Sequence, residues 1–476
     1  MARDCGYEEP PDDLPAPTVA ESDPGYAWRA VRLDSQVVDE LFAIVYFPSD
    51  PDARAYEDGA PVVVGARSAL FSGFLATPLT PSAWGLVEVQ PLYPGWVYGA
   101  YASSGVSDAA GPIATAVLAE TIAFAAGQAR TVDDLSLRQL TGAPVCNGGV
   151  VISANSTGII HTALALEGFP DGLDEAVLAV AAAESPHLPQ VVTGDLGFTG
   201  MDPDDRVDGD GNGVTWDDFR HPSYAPGDCD GVRCAIDYSD LAWERDLTLW
   251  QVFGDYYEGF DTPGLLYQDS NRNLRLDLSA TGSFDLDGDG ALGPGEDWPL
   301  QAWYDADGPP RSVVYSPEAT TTADGMGVLQ LDDWPAHVAD PRQSSSFWGE
   351  RSLMGSLPGI IDAAPEHFSV YFTFTEIDHG LAQASRPHIA EPYQALREGG
   401  VSVRYNLGAD AMSCLVDPEL SEGWGGELPW NEDLGEGEIG DWALPETIPN
   451  DSWRALGAAG ALWEYLGPFD RCAVPG

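Results

Sequence analysis

The sequence predicts an α/β fold: a mostly parallel sheet covered by helices on both faces and broken by one long acidic insertion. Three observations carry this. Apolar runs of strand length alternate with longer, small-residue runs of helix length over residues 27–188. The alternation returns after residue 357. Between the two, residues 189–356 are loaded with Asp, Gly, Asn and Trp and carry few periodic segments. Strands that are apolar throughout are those buried on both faces, where parallel strands sit.

The elements follow in order. Residues 1–26 are rich in Pro and acids and read as a flexible lead-in. "AWRAVRLDS" and "ELFAIVYFPSD" read as two strands, "APVVVGARSALFSGF" as a buried strand running into a Gly/Ser loop, and "WGLVEVQPLYPGW" as another strand. "GPIATAVLAETIAFAAGQA" is a helix of small apolar residues. "GGVVISAN" is a strand, "TGIIHTALALEG" the helix after it, and "DEAVLAVAAAESP" a further strand. Beyond the insertion, "SLPGIIDAAPEH" and "PHIAEPYQALREGG" read as helices, "FSVYFTFTEIDH" and "VSVRYNLGAD" as strands. Residues 415–476 form an acidic, Trp-rich tail attached to the core of 27–188 and 357–476.

Charge sets the chain apart. It has 476 residues, 21 basic against 76 acidic, and a formal net charge of −55, and every basic residue is Arg. Such a surface repels nucleic acid and anionic membranes, and suits high salt or abundant divalent cations. Hydrophobic content of 44% is ample for a sizeable core. No apolar run reaches the length of a membrane-spanning helix. The opening "MARDCGYEEPPDD" lacks the apolar core of a signal peptide and reads as the start of a trimmed mature chain. The six cysteines are even in number and show no zinc spacing, which favours an exported, disulfide-bonded protein, secreted or on the cell envelope. Cys229 and Cys234 suit a local bridge, Cys414 and Cys472 a staple across the tail, and Cys5 and Cys146 remain.

The insertion holds the most specific motif. "DLDGDGALGPGE" places Asp285, Asp287 and Asp289 at positions 1, 3 and 5, Gly290 at 6, Ala291 at 7 and Glu296 at 12. That is the twelve-residue EF-hand loop without a gap: alternate residues aim oxygens inward, the glycine allows the sharp turn, and the last Glu gives two oxygens. "DSNRNLRLD" supplies Asp269, Asn271, Asn273 and Asp277 but has Leu274 at position 6 and Ala280 at 12. "DGDGNGVTWDDF" supplies Asp208, Asp210, Asn212 and the Val214 carbonyl, with Asp218 one residue early. Flanking EF-hand helices are not evident, so the expected calcium is structural, replacing a hydrophobic core in a loop-rich region. The three segments resemble the tandem calcium repeats of extracellular bacterial proteins.

The catalytic candidate is Ser156, in "VVISANSTGIIHTALAL". Ala154 and Gly158 flank it at −2 and +2, where a strand must turn sharply into a helix and larger side chains would collide. Here the chain resembles the α/β-hydrolase superfamily, with Ala-x-Ser-x-Gly in place of G-x-S-x-G, over about residues 27–190 and 357–415. The resemblance implies a serine nucleophile and an oxyanion hole. One donor would be the Thr157 N–H, the other would come from the loop after "PVVV", around Ala66 and Arg67. It also implies the order Ser, acid, His. Asp378 in "FTFTEIDHG" takes the acid's place, but Asp410 stands where the histidine is expected. His379 at the strand end is the leading substitute, paired with Asp410 or Glu184; otherwise His187 or His221 reaches in from the insertion while Asp378 stays the acid. His161, on the helix, suits a packing role.

The function expected is a secreted, calcium-stabilised serine hydrolase acting on a small or polymeric carboxylic ester, with the aromatic insertion as a cap. A catalytically degenerate binding or cell-surface protein on the same fold is the alternative, favoured by the missing histidine. A glycosidase is a third, since acids abound, but no motif singles out a pair.

Overall fold

The computed structural model describes residues 7–19, 25–67, 85–168, 176–183, 189–193, 195, 238–248, 251, 263–279, 286, 297–305, 312–327, 337–364, 367–373, 390–405, 457–458 and 461–462. The chain enters through β1 (Thr18–Val19), β2 (Tyr26–Leu33) and β3 (Leu41–Pro48), followed by β4 (Ala60–Ala66) and β5 (Val87–Pro91). A small hairpin, β6 (Val97–Tyr98) and β7 (Tyr101–Ala102), leads to α1 (Pro112–Ala125) and α2 (Leu137–Thr141). Then come β8 (Val145–Asn155), α3 (Gly158–Glu167) and β9 (Val177–Ala183). Within the predicted insertion lie α4 (Pro189–Val192), β10 (Leu241–Thr248), β11 (Pro263–Gln268), β12 (Trp298–Pro299), β13 (Trp303–Asp305), β14 (Ser312–Val314), α5 (Pro317–Gly325), α6 (Pro341–Gly349) and the start of α7 (Leu353–Ala363). The core resumes with β15 (Ser369–Thr373), α8 (Ala390–Glu398) and β16 (Ser402–Tyr405).

Nine strands form one sheet in the order β1-β2-β3-β5-β4-β8-β9-β15-β16. Pairing is antiparallel from β1 to β5 and parallel from there to β16. The fold is therefore the mostly parallel, helix-covered sheet that the sequence predicts, with antiparallel strands at its entry. The central strands are apolar on both faces because both are covered. Val62, Val64, Val150, Ile152, Val180, Val370 and Phe372 pack with Ile122 of α1, Ile159 of α3, Leu357 of α7 and Leu396 of α8. Each such aliphatic side chain contributes on the order of 1.5–3 kcal/mol when taken fully out of water. On the other face β9 presents Ala179, Ala181 and Ala183. A Cβ placed on Gly457 would lie 3.4 Å from Ala181 Cβ and 2.8 Å from Thr373 Oγ1, so the helical residues 457–458 rest directly on β9 and β15. Cys146, on β8, is disulfide-bonded.

Three aromatic residues of the insertion join the same apolar cluster as the sheet. Trp303 stacks 4.8 Å from Trp348, and Phe347 lies 5.4 Å from Trp348, all three within that cluster. Arg351 links this region to the entry of α1. Its guanidinium lies 3.7 Å over the Phe347 ring and donates to the carbonyls of Asp108 (2.7 Å) and Ala109 (2.9 Å). The Asp108 carboxylate in turn caps α1, accepting from Ile113 N at 2.6 Å and Ala114 N at 3.2 Å, where Gly111 offers no capping side chain. Ala109 and Ala110 hold left-handed backbones (φ 50 and 61), an arrangement that costs about 1–2 kcal/mol per residue and that the buried Arg351 holds in place. Among the described residues no helix is long and apolar enough to cross a membrane.

Candidate active site

The parallel register aligns the carboxyl ends of four strands. Ala66 of β4 pairs with Ala154 of β8, Asn155 of β8 with Ala183 of β9, and Ala183 with Thr373 of β15. Ser156 follows directly on this edge, in the crevice region where α/β sheets place their sites. It is the first of the two residues between β8 and α3, and its φ of 51 puts a non-glycine backbone in the left-handed region. Its N–H donates to Ala183 O at 2.8 Å, which ties the turn to the neighbouring strand. Ser156 is partly exposed, whereas Thr157, next in sequence and capping α3, is buried. As the N-cap of a ten-residue helix, Thr157 stands at the positive end of its dipole, where the first N–H groups have no partner within the helix.

Small neighbours make the turn possible. A Cβ on Gly158 would lie 2.3 Å from Ala66 O, closer than any real carbon sits. The end of β4 thus packs on the first residue of α3. Ala66 itself is fully buried, and its carbonyl faces Gly158. Arg67, next in the chain, turns its guanidinium inward: Nη2 lies 3.5 Å from Glu88 Oε1, and Gln90 Nε2 donates to the same oxygen at 2.8 Å. Gly65 leaves room for this buried pair, since a Cβ there would come within 2.8 Å of Glu88 Oε1.

His161 is not the base. It is fully buried in α3, and its Nε2 lies 2.7 Å from the Tyr93 hydroxyl. Burial pulls its pKa down to about 3, against a smaller opposing pull from the Arg67 main chain, so the ring is neutral. His367 precedes β15 and so lies at the amino end of the strands, the rim opposite Ser156. Asp378 and His379 lie outside the described residues, as do Glu184, His187, His221 and Asp410.

Of the calcium candidates, Asp285, Asp287, Asp289, Ala291 and Glu296 lie outside the described residues, and so do Asp208, Asp210, Asn212, Val214 and Asp218. The loop of Asp269, Asn271, Asn273 and Asp277 is described. Asp269 accepts from the N–H of Asn273 (3.0 Å) and of Leu274 (2.6 Å), and Asp277 Oδ2 accepts from the amides of Asn271 (2.7 Å) and Asn273 (2.6 Å). Leu274 takes a φ of 57 at the position where the calcium-loop pattern has glycine. Asp297, absent from the sequence pattern, closes the loop by accepting from Ser270 N (3.1 Å) and Asp277 N (2.7 Å). Burial pushes Asp297 up to about 6, and the nearby Asp269 and Asp277 add to the rise. These hard oxygen donors and this turn suit calcium in kind. Among the described residues, however, no three His, Cys, Asp or Glu side chains converge as a metal site.

No protein-family model matches the chain, and no curated protein matches it. Solved structures overlap it in part. Brefeldin A esterase, a bacterial homologue of human hormone-sensitive lipase, overlaps 39% of this chain and 45% of its own at 14% identity, with a TM-score of 0.25. A hyperthermophilic esterase from the archaeon Pyrobaculum calidifontis overlaps 35% and 49% at 14% identity, TM-score 0.23. The Pyrococcus horikoshii acylaminoacyl peptidase overlaps 36% and 25% at 14% identity, TM-score 0.25. The chain thus spans less than half the length of each of these three.

Proposed function

We propose that this chain is a serine hydrolase acting on carboxylic esters, with Ser156 as its nucleophile. The observation that carries the proposal is the backbone at Ser156: left-handed, partly exposed, and set between a parallel strand and a helix at the carboxyl edge of the sheet. Strain of this kind at a non-glycine residue persists where the surroundings over-determine it, and it lifts the serine oxygen clear of the strand. Ser156 Oγ attacks the acyl carbon while His379 accepts its proton, with Asp410 or Glu184 as the orienting acid; with Asp378 as the acid the base is instead His187 or His221. The tetrahedral oxyanion receives a hydrogen bond from the Thr157 N–H and a second from the loop that begins at Ala66. The protonated histidine then gives its proton to the leaving alkoxide. Water attacks the acyl-enzyme with the histidine again as base, releasing the acid and restoring Ser156. Chain reach supports His379: β15 stands two strands from β8, about 10 Å, and the residues from Thr373 to His379 can extend about 20 Å.

The net charge of −55 disfavours anionic substrates, so the ester is neutral or apolar, small or polymeric. Calcium serves as a structural ion in the loops at 208–219, 269–280 and 285–296, and export to a calcium-rich medium, outside the cell or on its envelope, fits that role. The test is a fluorophosphonate probe followed by mapping of the labelled peptide. Ser156 should carry the label, and Ser156→Ala should lower turnover of a short p-nitrophenyl ester by more than about 10³-fold. His379→Ala should do the same, without adding to the serine defect. An unlabelled wild type, or an active Ser156→Ala, sinks the hydrolase reading. An active His379→Ala moves the base to His187 or His221.

A further inference from the structure

The rim that carries Ser156 has a second concave feature, beyond β5. Val64 of β4 pairs in parallel with Val89 of β5 and with Ile152 of β8, so the end of β5 shares that rim. Leu33 pairs with Leu41 at the β2–β3 turn and Ala43 with Pro91, which brings the turn to the same rim. Between the turn and the segment after β5 lies a groove of about 490 Å³. Val37, Val38 and Asp39 line it from the turn, and Pro94, Ser104 and Val106 from the segment after β5. Hydrogen bonds hold both sides in place. Glu40 N donates to Ser104 Oγ and Ser104 N to Glu40 O, each at 2.9 Å. Ser35 Oγ accepts from Val37 N and Val38 N at 3.2 Å, and Gln36 N donates to Glu120 Oε1 of α1 at 2.8 Å. Gly105 keeps the space open. Its φ of 94 suits glycine, and a Cβ there would lie 3.4 Å from Pro94 Cβ and 3.9 Å from Val38 Cγ1, both in the lining.

Chemistry and place point to one occupant. Val37 is 41% and Val106 52% exposed, and the two valines line one groove rather than standing apart. Among the described lining residues Asp39 is the only charge, so the groove holds no cation for an anionic ligand. Ser35, whose oxygen accepts two N–H groups, keeps a hydroxyl proton to give to a carbonyl oxygen. Apolar carbons alternating with uncharged carbonyls are what an ester chain presents. The volume falls within the roughly 300–1,000 Å³ of small-molecule sites. β3 stands three strands from β8, about 14 Å. A short p-nitrophenyl ester at Ser156 does not span that gap, whereas a chain of several ester units does. We propose that this groove is a distal subsite for a neutral polymeric ester and holds the chain several bonds from the ester that Ser156 cleaves. The proposal rests on the serine-hydrolase reading and narrows its substrate to a chain. Such contacts are the same in ground and transition states, so they act on KM rather than kcat.

Val37→Asp and Val106→Asp each put a charge into the groove at an exposed position. The two probes are p-nitrophenyl acetate and the methyl ester of a 6-hydroxyhexanoate trimer, which is uncharged and longer than the gap. Each variant should lower the ratio of kcat/KM for the trimer to kcat/KM for p-nitrophenyl acetate by roughly 10-fold, through KM for the trimer, the size of one lost valine contact. If the aspartate variants unfold, Val37→Ser and Val106→Ser read the same ratio, with a smaller drop. An unchanged ratio in folded variants overturns the subsite and leaves a fluorophosphonate-labelled wild type as evidence for the hydrolase. A labelled wild type that cleaves p-nitrophenyl acetate but not the trimer also overturns it. An unchanged ratio together with loss of self-association, read by sedimentation velocity, gives the groove to a second copy of the chain instead. A wild type that is not labelled and cleaves neither ester removes the hydrolase reading and the subsite together.

Discussion

Ser156 holds a left-handed backbone that costs about 1–2 kcal/mol, and the residues around it show what keeps it there. Gly158 is the sharpest case. Alanine in a helix interior is normally better than glycine by about 1 kcal/mol. At Gly158 the added methyl would lie 2.3 Å from the Ala66 carbonyl oxygen, a backbone atom that cannot swing aside. Overpacking of this kind costs about 1–3 kcal/mol, so the clash outweighs the propensity. Gly158→Ala should therefore unfold at lower urea and weaken the proposed esterase activity; a variant as stable as wild type contradicts the packing. This much of the site was legible in the sequence, because small-x-Ser-x-small is a local pattern. The Tyr93–His161 pair was not. Its partners are 68 residues apart, and a lone histidine on an apolar helix carries no spacing signal. The catalytic base stayed ambiguous for a related reason: the turn after β16 places Asp410 where a histidine is expected, so no local motif names the partner.

At the scale of elements, the apolar strands announced themselves and the polar helices did not. β4 and β9 are apolar runs, and each lies within its predicted segment, whereas β8 begins at Val145, three residues ahead of the predicted "GGVVISAN". α5 and α6 went unread inside the acidic insertion, although both carry start signals. Ser316 caps α5 ahead of Pro317, and Asp340 with Gln343 forms a capping box on α6. These signals stood alone, because "PEATTTADG" and "PRQSSSFWG" carry no apolar helical period to go with them. The cap of α5 also bears on pH. Asp195 is fully buried and accepts from the hydroxyls of Thr193 (2.9 Å), Tyr238 (3.0 Å) and Ser316. Burial pushes its carboxyl up to about 7 despite those three donors, with Glu318 adding to the rise. The folded pKa stands above the unfolded one, so this group favours folding in acid and loses that contribution as pH rises from about 4 to about 7. Asp195→Asn, which mimics the protonated acid, should melt with wild type near pH 4 and above it at pH 8; a gap independent of pH rejects the assignment. The proposed calcium sites make a separate prediction. EGTA should lower the melting temperature of wild type, and Asp287→Ala should do so in part, since an ion at about 100 times its Kd adds about 2.7 kcal/mol. An unchanged melting curve, with metal analysis showing no calcium, removes the ion.

For the whole molecule the dominant long-range term is like charge. At −55 the folded chain repels itself, and exposed charges interact over about 30 Å at 0.01 M salt but only about 3 Å at 1 M. Stability at fixed calcium should rise with NaCl over that range; a flat or falling melting temperature excludes repulsion as the controlling force. The acidity was plain in the sequence, but its arrangement was not. The insertion reads as a cap, and where it packs was hidden: Trp303, Phe347 and Trp348 lie in the cluster that also holds the sheet, and aromatic spacing without period gives no hint of that partner. Arg351 adds a temporal side to this arrangement. Its guanidinium grips carbonyls 242 and 243 residues earlier in the chain, at the two left-handed alanines that lead into α1. Contacts of such sequence separation demand closure of a very long loop before they give anything back, and chains rich in them fold slowly. As the polypeptide is made from its amino end, the entry to α1 must wait, strained and unanchored, until Arg351 has been synthesised. The first half of the sheet can form early, but the corner beside it is completed only once Arg351 arrives.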